Sequence, residues 1–281
     1  MEPNFKEVER IIAAALAEDI GKGDITAQLL VPETAHVTLT FVNREPMLVC
    51  GAGIVPLVFS RLDPSIQTKA LVKEGNHAAA RTNLIIVQGP ARSILTAERV
   101  ALNLLQRMSS VATLASQYVK AVEGTGAIIL DTRKTMPGLR ELDKYAVRTG
   151  GARNHRMRLD DGILIKDNHI ALCGDVATAL KRAQDGNREN LPIEIECETL
   201  AQVEAAMKAG AKSLMLDNMD IPTMHKAVQL VAGRATLEAS GNVSLNTVRR
   251  VAETGVNFIS VGKLTHSVPN VDIGLDSIFT P

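Results

Sequence analysis

The sequence predicts an α/β protein in two parts. An α/β sandwich covers residues 1–111 and an incomplete (β/α) barrel covers 112–268, with the tail 269–281 available to pack back on the first part. Three observations carry this. The chain has 281 residues, 46% of them hydrophobic, which is enough for one large core or two ordinary ones. Its hydrophobic rhythm changes near residue 112, from strands grouped with helices to strict alternation of strand and helix. The strands of the second part end on Asp131, Lys166, Glu196, Asp217 and Ser240, as barrel strands do where they converge on one mouth.

The elements follow in order. Met1 to Glu18 carries Glu2, Lys6, Glu7, Glu9, Arg10 and Glu18, which predicts an amphipathic helix and lacks the apolar stretch of a secretion signal. Ala35–Asn43 alternates as a strand, with Val37, Leu39 and Phe41 on one face, and Gln67–Lys73 and Leu84–Gln88 are similar. Ile54–Leu62 is helical, and Ile94–Met108 is strongly so, with Ala97, Val100, Ala101, Leu104, Leu105 and Met108 at helical spacing. Beyond residue 112 the strands are Ala127–Asp131, Ile163–Lys166, Ile193–Glu196, Ser213–Asp217, Ala235–Ser240 and Asn257–Val261. Between them lie helices at Leu139–Thr149, Val176–Gln184, Leu200–Ala209, Ile221–Val231 and Leu245–Glu253. Such repeats give parallel strands with right-handed crossovers. A doubly wound sheet would gather its polar residues at one switch point instead. Six strands fall short of a full barrel, so it is incomplete or closed by something else.

Composition removes several function classes. With 31 Lys+Arg against 31 Asp+Glu, no basic excess exists to hold nucleic acid or a membrane surface. Aromatic residues are 2% of the chain and Trp is absent, so no base-stacking platform is expected. Cys50, Cys173 and Cys197 form neither a disulfide framework nor a metal-type pair, which fits a cytoplasmic location. The apolar run Met47–Phe59 is too short to span a bilayer. Gly21-Lys22-Gly23 lacks the rest of a dinucleotide fingerprint, and His36, His77 and His225 have no ligand partners at useful spacing.

Local charge is more informative. Between Arg133 and Arg158 eight basic residues face two acidic ones, a net of +6. Lys144 and Arg148 belong to the wet face of a helix, but Arg133, Lys134, His155 and Arg156 fall at mouth positions, where several arginine forks imply a multiply anionic ligand. Lys166 ends a strand and is open to two roles, a Schiff-base nucleophile or an anion-binding ammonium, beside the plainer one of a salt bridge with Asp167. Glu196 and Asp217 end consecutive strands and suit Mg²⁺ completed by a substrate phosphate, or mere pairing with nearby cations; Glu194 and Glu198 share the alternation. Ser240-Gly241-Asn242 and the run Gly262 to His266 follow the last two strands, where loops that bare backbone N–H groups bind phosphate, or are ordinary turns.

Taken together, these segments resemble the quinolinate phosphoribosyltransferases. The likeness runs through Glu18 to Thr26, Asp131-Thr132-Arg133-Lys134-Thr135, Asn154-His155-Arg156, Leu164 to His169, Glu194-Ile195-Glu196, Leu216-Asp217-Asn218, Glu238 to Asn242 and Ser260-Val261-Gly262, and so covers nearly the whole chain. The resemblance implies an N-terminal α/β open-faced sandwich plus a C-terminal incomplete (β/α) barrel, in a homodimer where one subunit's first domain covers the other's barrel mouth. It implies transfer of phosphoribosyl from 5-phosphoribosyl 1-pyrophosphate to quinolinate, with Mg²⁺ and no redox cofactor, giving nicotinate mononucleotide, pyrophosphate and CO₂ for de novo NAD synthesis. Carried over by motif, Arg133, His155, Arg156 and Lys166 meet the two carboxylates, and Arg99 reaches the partner's site. Lys134 meets phosphoribosyl pyrophosphate, Glu196 and Asp217 face Mg²⁺ and the ribose, and Ser240, Gly241, Asn242, Gly262 and His266 hold phosphate. The alternatives are a Schiff-base lyase using Lys166, which leaves the arginines unexplained, and a non-catalytic relative such as the molybdenum-transport-associated homologues.

Overall fold

A computed structural model describes residues 3–277. In chain order the elements are α1 (Phe5–Ile20), α2 (Ile25–Leu30), β1 (His36–Asn43), β2 (Met47–Leu48), α3 (Val55–Leu62), β3 (Gln67–Ala70), β4 (His77–Ala78), β5 (Asn83–Pro90) and α4 (Ala91–Ala121). There follow β6 (Ile128–Leu130), α5 (Arg140–Thr149), β7 (Ile163–Ile165), α6 (Asp167–Cys173), α7 (Val176–Gly186), β8 (Ile193–Cys197) and α8 (Leu200–Lys208). The last are β9 (Ser213–Asp217), α9 (Ile221–Val231), β10 (Thr236–Ser240), α10 (Val248–Ala252), β11 (Phe258–Ser260), α11 (Lys263–His266) and β12 (Ile273–Ser277). They form two compact units. One holds the residues before Gln117, Thr135–Gly151 and those after His266; the other holds Gln117–Lys134 and Ala152–His266.

The first unit is an antiparallel sheet of order β12-β1-β5-β3. Period-two alternation splits its faces. Leu39, Phe41, Ile85 and Val87 are buried on one face; on the other the cross-strand set Thr38, Gln88 and Gln67 is exposed, while Thr40 and Val42 further along β1 are buried. Phe41 meets Phe59 of α3 edge-on, ring centres 6.2 Å apart. Asn4 caps α1 by accepting the Lys6 N–H, and Asp24 caps α2 by accepting that of Ala27. Helix α4 runs for 31 residues, well past the Ile94–Met108 span that its periodicity predicts.

Helix α5 departs most from expectation. Lys144, expected on a wet face, is fully buried, as is Asp143 beside it. The helix lies within the first unit and turns its charges inward: both Asp143 oxygens accept from Arg107, at 2.8 and 2.9 Å, and Glu141 accepts the Asn4 N–H. Arg148 lies 5.8 Å from the Tyr145 ring centre.

The second unit is a six-stranded, wholly parallel sheet of order β6-β11-β10-β9-β8-β7. Sequential neighbours throughout, with β6 returning beside β11, are the winding of a barrel rather than of a doubly wound sheet. The outward residues Ile195, Leu214, Leu216, Leu237, Ala239 and Ile259 are buried, facing the side where Val203, Ala206, Met224, Ala227 and Val251 of the helices are also buried. The alternate residues Glu194, Glu196, Asp217, Glu238, Ser240 and Ser260 point inward. Along the free edge of β6 runs an extra extended segment, bridged in parallel at Leu130 and Arg153. Side-chain caps begin three of the crossover helices, Asp175 for α7, Thr199 for α8 and Asp220 for α9. Among the described residues no helix is long and apolar enough to cross a membrane.

Candidate active site

At the C-terminal ends of the strands, β7 delivers Lys166, β8 Glu196 and β9 Asp217. Lys166 Nζ lies 2.5 Å from Glu196 Oε2. The lysine is about half exposed, at 47%, and the glutamate buried, at 8%. The pocket around Lys166 is neither dry nor apolar, unlike one that would desolvate a lysine into a nucleophile, which favours the anion-binding role over the Schiff-base one. The expected partner Asp167 is exposed, and the ion pair goes to Glu196 instead. Asp217 is half-buried and accepts from the Asn218 side-chain amide at 2.6 Å.

The two late loops are built on tight contacts. Asn218, Gly241 and Asn242 all have positive φ, of 52°, 95° and 50°. The Asn218 N–H donates to the Ser240 carbonyl at 2.9 Å, and the Asn242 amide donates to Asn218 Oδ1 at 3.3 Å. A Cβ on Gly241 would collide with the Asn218 side chain and sit 3.0 Å from its nitrogen. Gly241→Ala is therefore expected to cost about 1–3 kcal/mol of stability. Its apparent KM for a phosphorylated substrate should rise by roughly tenfold; thermal unfolding and initial rates check both. In the last loop Lys134 and His266 converge on Gly262: a Cβ there would lie 3.1 Å from the His266 ring and 3.2 Å from Lys134 Cδ. The Thr265 hydroxyl fixes this arrangement by donating to the Lys134 carbonyl at 2.8 Å.

The basic segment 153–158 is held from behind. Fully buried Asp131 accepts the His155 N–H at 2.8 Å and the Asn154 amide at 2.6 Å. Arg156 Nη1 donates to the Gly162 carbonyl at 2.8 Å. Burial, then the neighbouring Arg133 guanidinium, holds the Arg156 pKa below its ordinary value, while Asp161 and Glu194 oppose the shift. Two guanidinium groups that repel each other in a half-buried mouth make a site for a dianion. His155 sits differently from a direct ligand. Its Nδ1 accepts the Arg156 N–H at 2.8 Å, so Nε2 carries the hydrogen and donates to Glu194 Oε2 at 3.1 Å, with Glu238 Oε2 at 3.5 Å.

The second unit thus gathers Arg133, Lys134, His155, Arg156, Lys166, Glu196, Asp217, Ser240, Gly241, Asn242, Gly262 and His266. Arg99 belongs to the other unit, exposed on α4. Sequence reasoning left Asp131 and Glu238 without roles; Glu238 carries the sign of a carboxylate on the inward face of a barrel strand, whereas Asp131 follows the outward parity of β6, where Ile129 pairs with Ile259, and shows itself only as a carboxylate at a strand end. Cys197 is no nucleophile, because burial and the adjacent Glu196 push its thiol up to about 12. For a metal, Glu196 and Asp217 are hard oxygen donors, each already holding a side-chain donor. This fits Mg²⁺ carried in on a diphosphate, whose octahedral shell is filled mostly by phosphate and water, better than an all-protein cage.

Comparison with known proteins agrees with this geometry. Residues 24–109 match the family model for the N-terminal domain of quinolinate phosphoribosyl transferase, and residues 111–276 match that for its C-terminal domain. A probable nicotinate-nucleotide pyrophosphorylase (carboxylating) of Bacillus subtilis (strain 168) is 40% identical over 273 residues, covering 97% of this chain and 94% of that protein. The structure of NadC from Streptococcus pyogenes superposes with a TM-score of 0.94 at 34% identity, over 99% of this chain and 98% of that one. Nicotinate-nucleotide pyrophosphorylase from Ehrlichia chaffeensis gives 0.93 at 41% identity, over 98% and 99%.

Proposed function

The chain belongs to the quinolinate phosphoribosyltransferase family, and from that premise we infer how its barrel mouth performs the reaction. The enzyme is a pentosyltransferase of de novo NAD synthesis, joining quinolinate to 5-phosphoribosyl 1-pyrophosphate with release of pyrophosphate and CO₂ to give nicotinate mononucleotide. The observation that carries our assignment of roles is the closeness of Arg133 and Arg156, two cations that a pyridine with adjacent carboxylates would bridge.

Arg133 and Arg156 orient the dicarboxylate, Lys166 adds a third cation, and His155 braces Arg156 from behind. Lys134, His266 and the backbone N–H groups around Gly241, Asn242 and Gly262, with Ser240, take the phosphates. Held in this way, the pyridine nitrogen bonds to the anomeric carbon as the bond to pyrophosphate breaks. Positive charge on the ribose is met by the Glu196 and Asp217 carboxylates. Glu196 and Asp217 would also hold Mg²⁺ brought in with the pyrophosphate, and the ion would supply charge neutralisation to the leaving group. The new pyridinium then accepts the electron pair of the bond to the 2-carboxylate; CO₂ leaves and a proton takes its place. Because the substrate ring is itself the electron sink, no redox cofactor is needed.

The test is acceptor choice. Purified protein with phosphoribosyl pyrophosphate and Mg²⁺ should convert quinolinate to nicotinate mononucleotide and leave nicotinate, which lacks the 2-carboxylate, untouched. Equal use of nicotinate would contradict the paired-arginine role. We further propose a cytoplasmic homodimer, supported by three free thiols and by the exposure of Arg99 on α4. If Arg99 serves the partner's site, mixing inactive Arg99→Ala and Lys166→Ala subunits restores about a quarter of wild-type activity, as one intact site forms per mixed dimer. A mixture as inactive as its components would refute that role.

A further inference from the structure

Inside the barrel, next to Arg156 in sequence, His155 joins two acidic side chains in a partly buried cluster. Among the described residues, His155, Glu194 and Glu238 are the one group of three potential ligand side chains whose ligand atoms all lie within 4.8 Å of one another. Glu238 is 2% exposed on the inward face of β10, and one of its oxygens accepts a hydrogen bond from the Ser260 hydroxyl of β11. Glu194, on the inward face of β8, accepts from the Ser213 hydroxyl at 3.0 Å. Both carboxylates face the single Nε2–H of His155, at 3.1 and 3.5 Å, and the other ring nitrogen receives the Arg156 N–H.

We infer that Glu238 is a positioning residue for the dicarboxylate. Acting through His155, it fixes Arg156, and its own protonation sets the charge beneath the carboxylate pocket. This rests on the roles given above to Arg156 and quinolinate. Two carboxylates whose ligand atoms lie within 4.8 Å and that share one imidazole N–H repel each other, so one of the two holds a proton. The deeper of them is Glu238. Burial, then the Glu194 charge, pushes its pKa up to about 8, against the opposing pull of His155, the Ser260 hydroxyl and Lys166. Near neutrality Glu238 is therefore an uncharged brace. Above that range its ionisation puts a second full negative charge on the His155 ring, whose other nitrogen holds the Arg156 N–H, next to the segment that must receive a dianionic ligand. The groups facing it are Glu194 from β8, His155 from the extra edge segment, Lys166 from the end of β7 and Ser260 from β11.

The decisive comparison is with Glu238→Gln, which keeps shape and hydrogen bonding but cannot ionise. Quinolinate Kd, measured by calorimetry on the full chain between pH 6.5 and about 9.5, is the readout, with kcat followed in parallel. Wild type should lose about tenfold in affinity across the alkaline half while kcat changes less. Glu238→Gln should match wild type within about twofold at pH 7 and then stay flat. Glu238→Ala, losing the brace, should bind about tenfold more weakly at every pH. A Gln variant with the same alkaline loss as wild type, or an Ala variant with wild-type affinity, overturns the proposal.

Stability provides a second check should Glu238→Ala fail to fold. The folded pKa is raised above the ordinary carboxylate value of 4.5, so the stabilising contribution is complete below that value and is lost as pH rises through about 8. The Tm of Glu238→Gln should therefore gain on wild type over this window and then run parallel; a constant gap contradicts the proposal. Binding is read apart from turnover, so the two accounts fail separately. Quinolinate bound with the expected pH dependence but never converted would overturn the transferase mechanism alone.

Discussion

Lys166→Ala is expected to lower kcat/KM for quinolinate by about three orders of magnitude, with no loss of fold. Two effects act in the same direction. The substitution removes a cation from the dicarboxylate site, and it leaves Glu196, 7% exposed, as a buried carboxylate without its ammonium. A site that then presents net negative charge to a dianion repels it. Stripping one partner from a buried pair costs about 3–5 kcal/mol, but Lys166 is 47% exposed and the structural share must be discounted accordingly. Thermal midpoints should therefore move by only a few °C, roughly the effect of 1 kcal/mol or less. The double variant Lys166→Ala/Glu196→Gln separates the two effects, and is expected to recover about tenfold for quinolinate affinity by removing the repulsion alone. Recovery of nothing would mean that the lysine acts only as a ligand.

Arg133→Ala ranks next. It should raise KM for quinolinate about a hundredfold or more while leaving that for phosphoribosyl pyrophosphate within about threefold, as initial rates with both substrates varied would show. Arg133 perturbs Arg156 through space, so the two guanidinium groups share one site and the substrate supplies the counter-charge for both. Arg133→Lys should recover little, because a point-like ammonium cannot reproduce the planar fork that grips a carboxylate through two bonds. Equal rises in both KM values would show that Arg133 supports the mouth generally rather than the dicarboxylate in particular.

The barrel was legible in the sequence because its strands carry two signals at once. In Ile193-Glu194-Ile195-Glu196-Cys197 the apolar residues repeat toward the helices and the acidic ones toward the interior, and β8 spans those same residues. The eight-to-two charge imbalance from Arg133 to Arg158 pointed to an anion site for the same reason, that charge collects where a ligand offsets it. Helix α5 shows where such reasoning stops. Lys144 and Arg148 read as a solvated face, yet Lys144 is buried together with Asp143, whose partner is Arg107, 36 residues earlier on α4. Pairings at that distance leave no periodic trace. The short helices α6 and α11, of seven and four residues, are likewise below the length at which periodicity speaks. His155 was legible as a member of the basic loop but not as a brace. Its orientation is set by Asp131, Glu194 and Glu238, which come from three different strands or strand ends.

The central claim is that this mouth couples formation of the glycosidic bond to loss of the adjacent carboxylate. Quinolinate labelled in its 2-carboxylate tests it most directly, with labelled CO₂, pyrophosphate and nicotinate mononucleotide counted in one reaction. Equal amounts of the three are expected, with no labelled CO₂ when phosphoribosyl pyrophosphate is withheld and no adduct on Lys166 after borohydride. Labelled CO₂ released without phosphoribosyl pyrophosphate, or a borohydride-trapped adduct on Lys166, would contradict it.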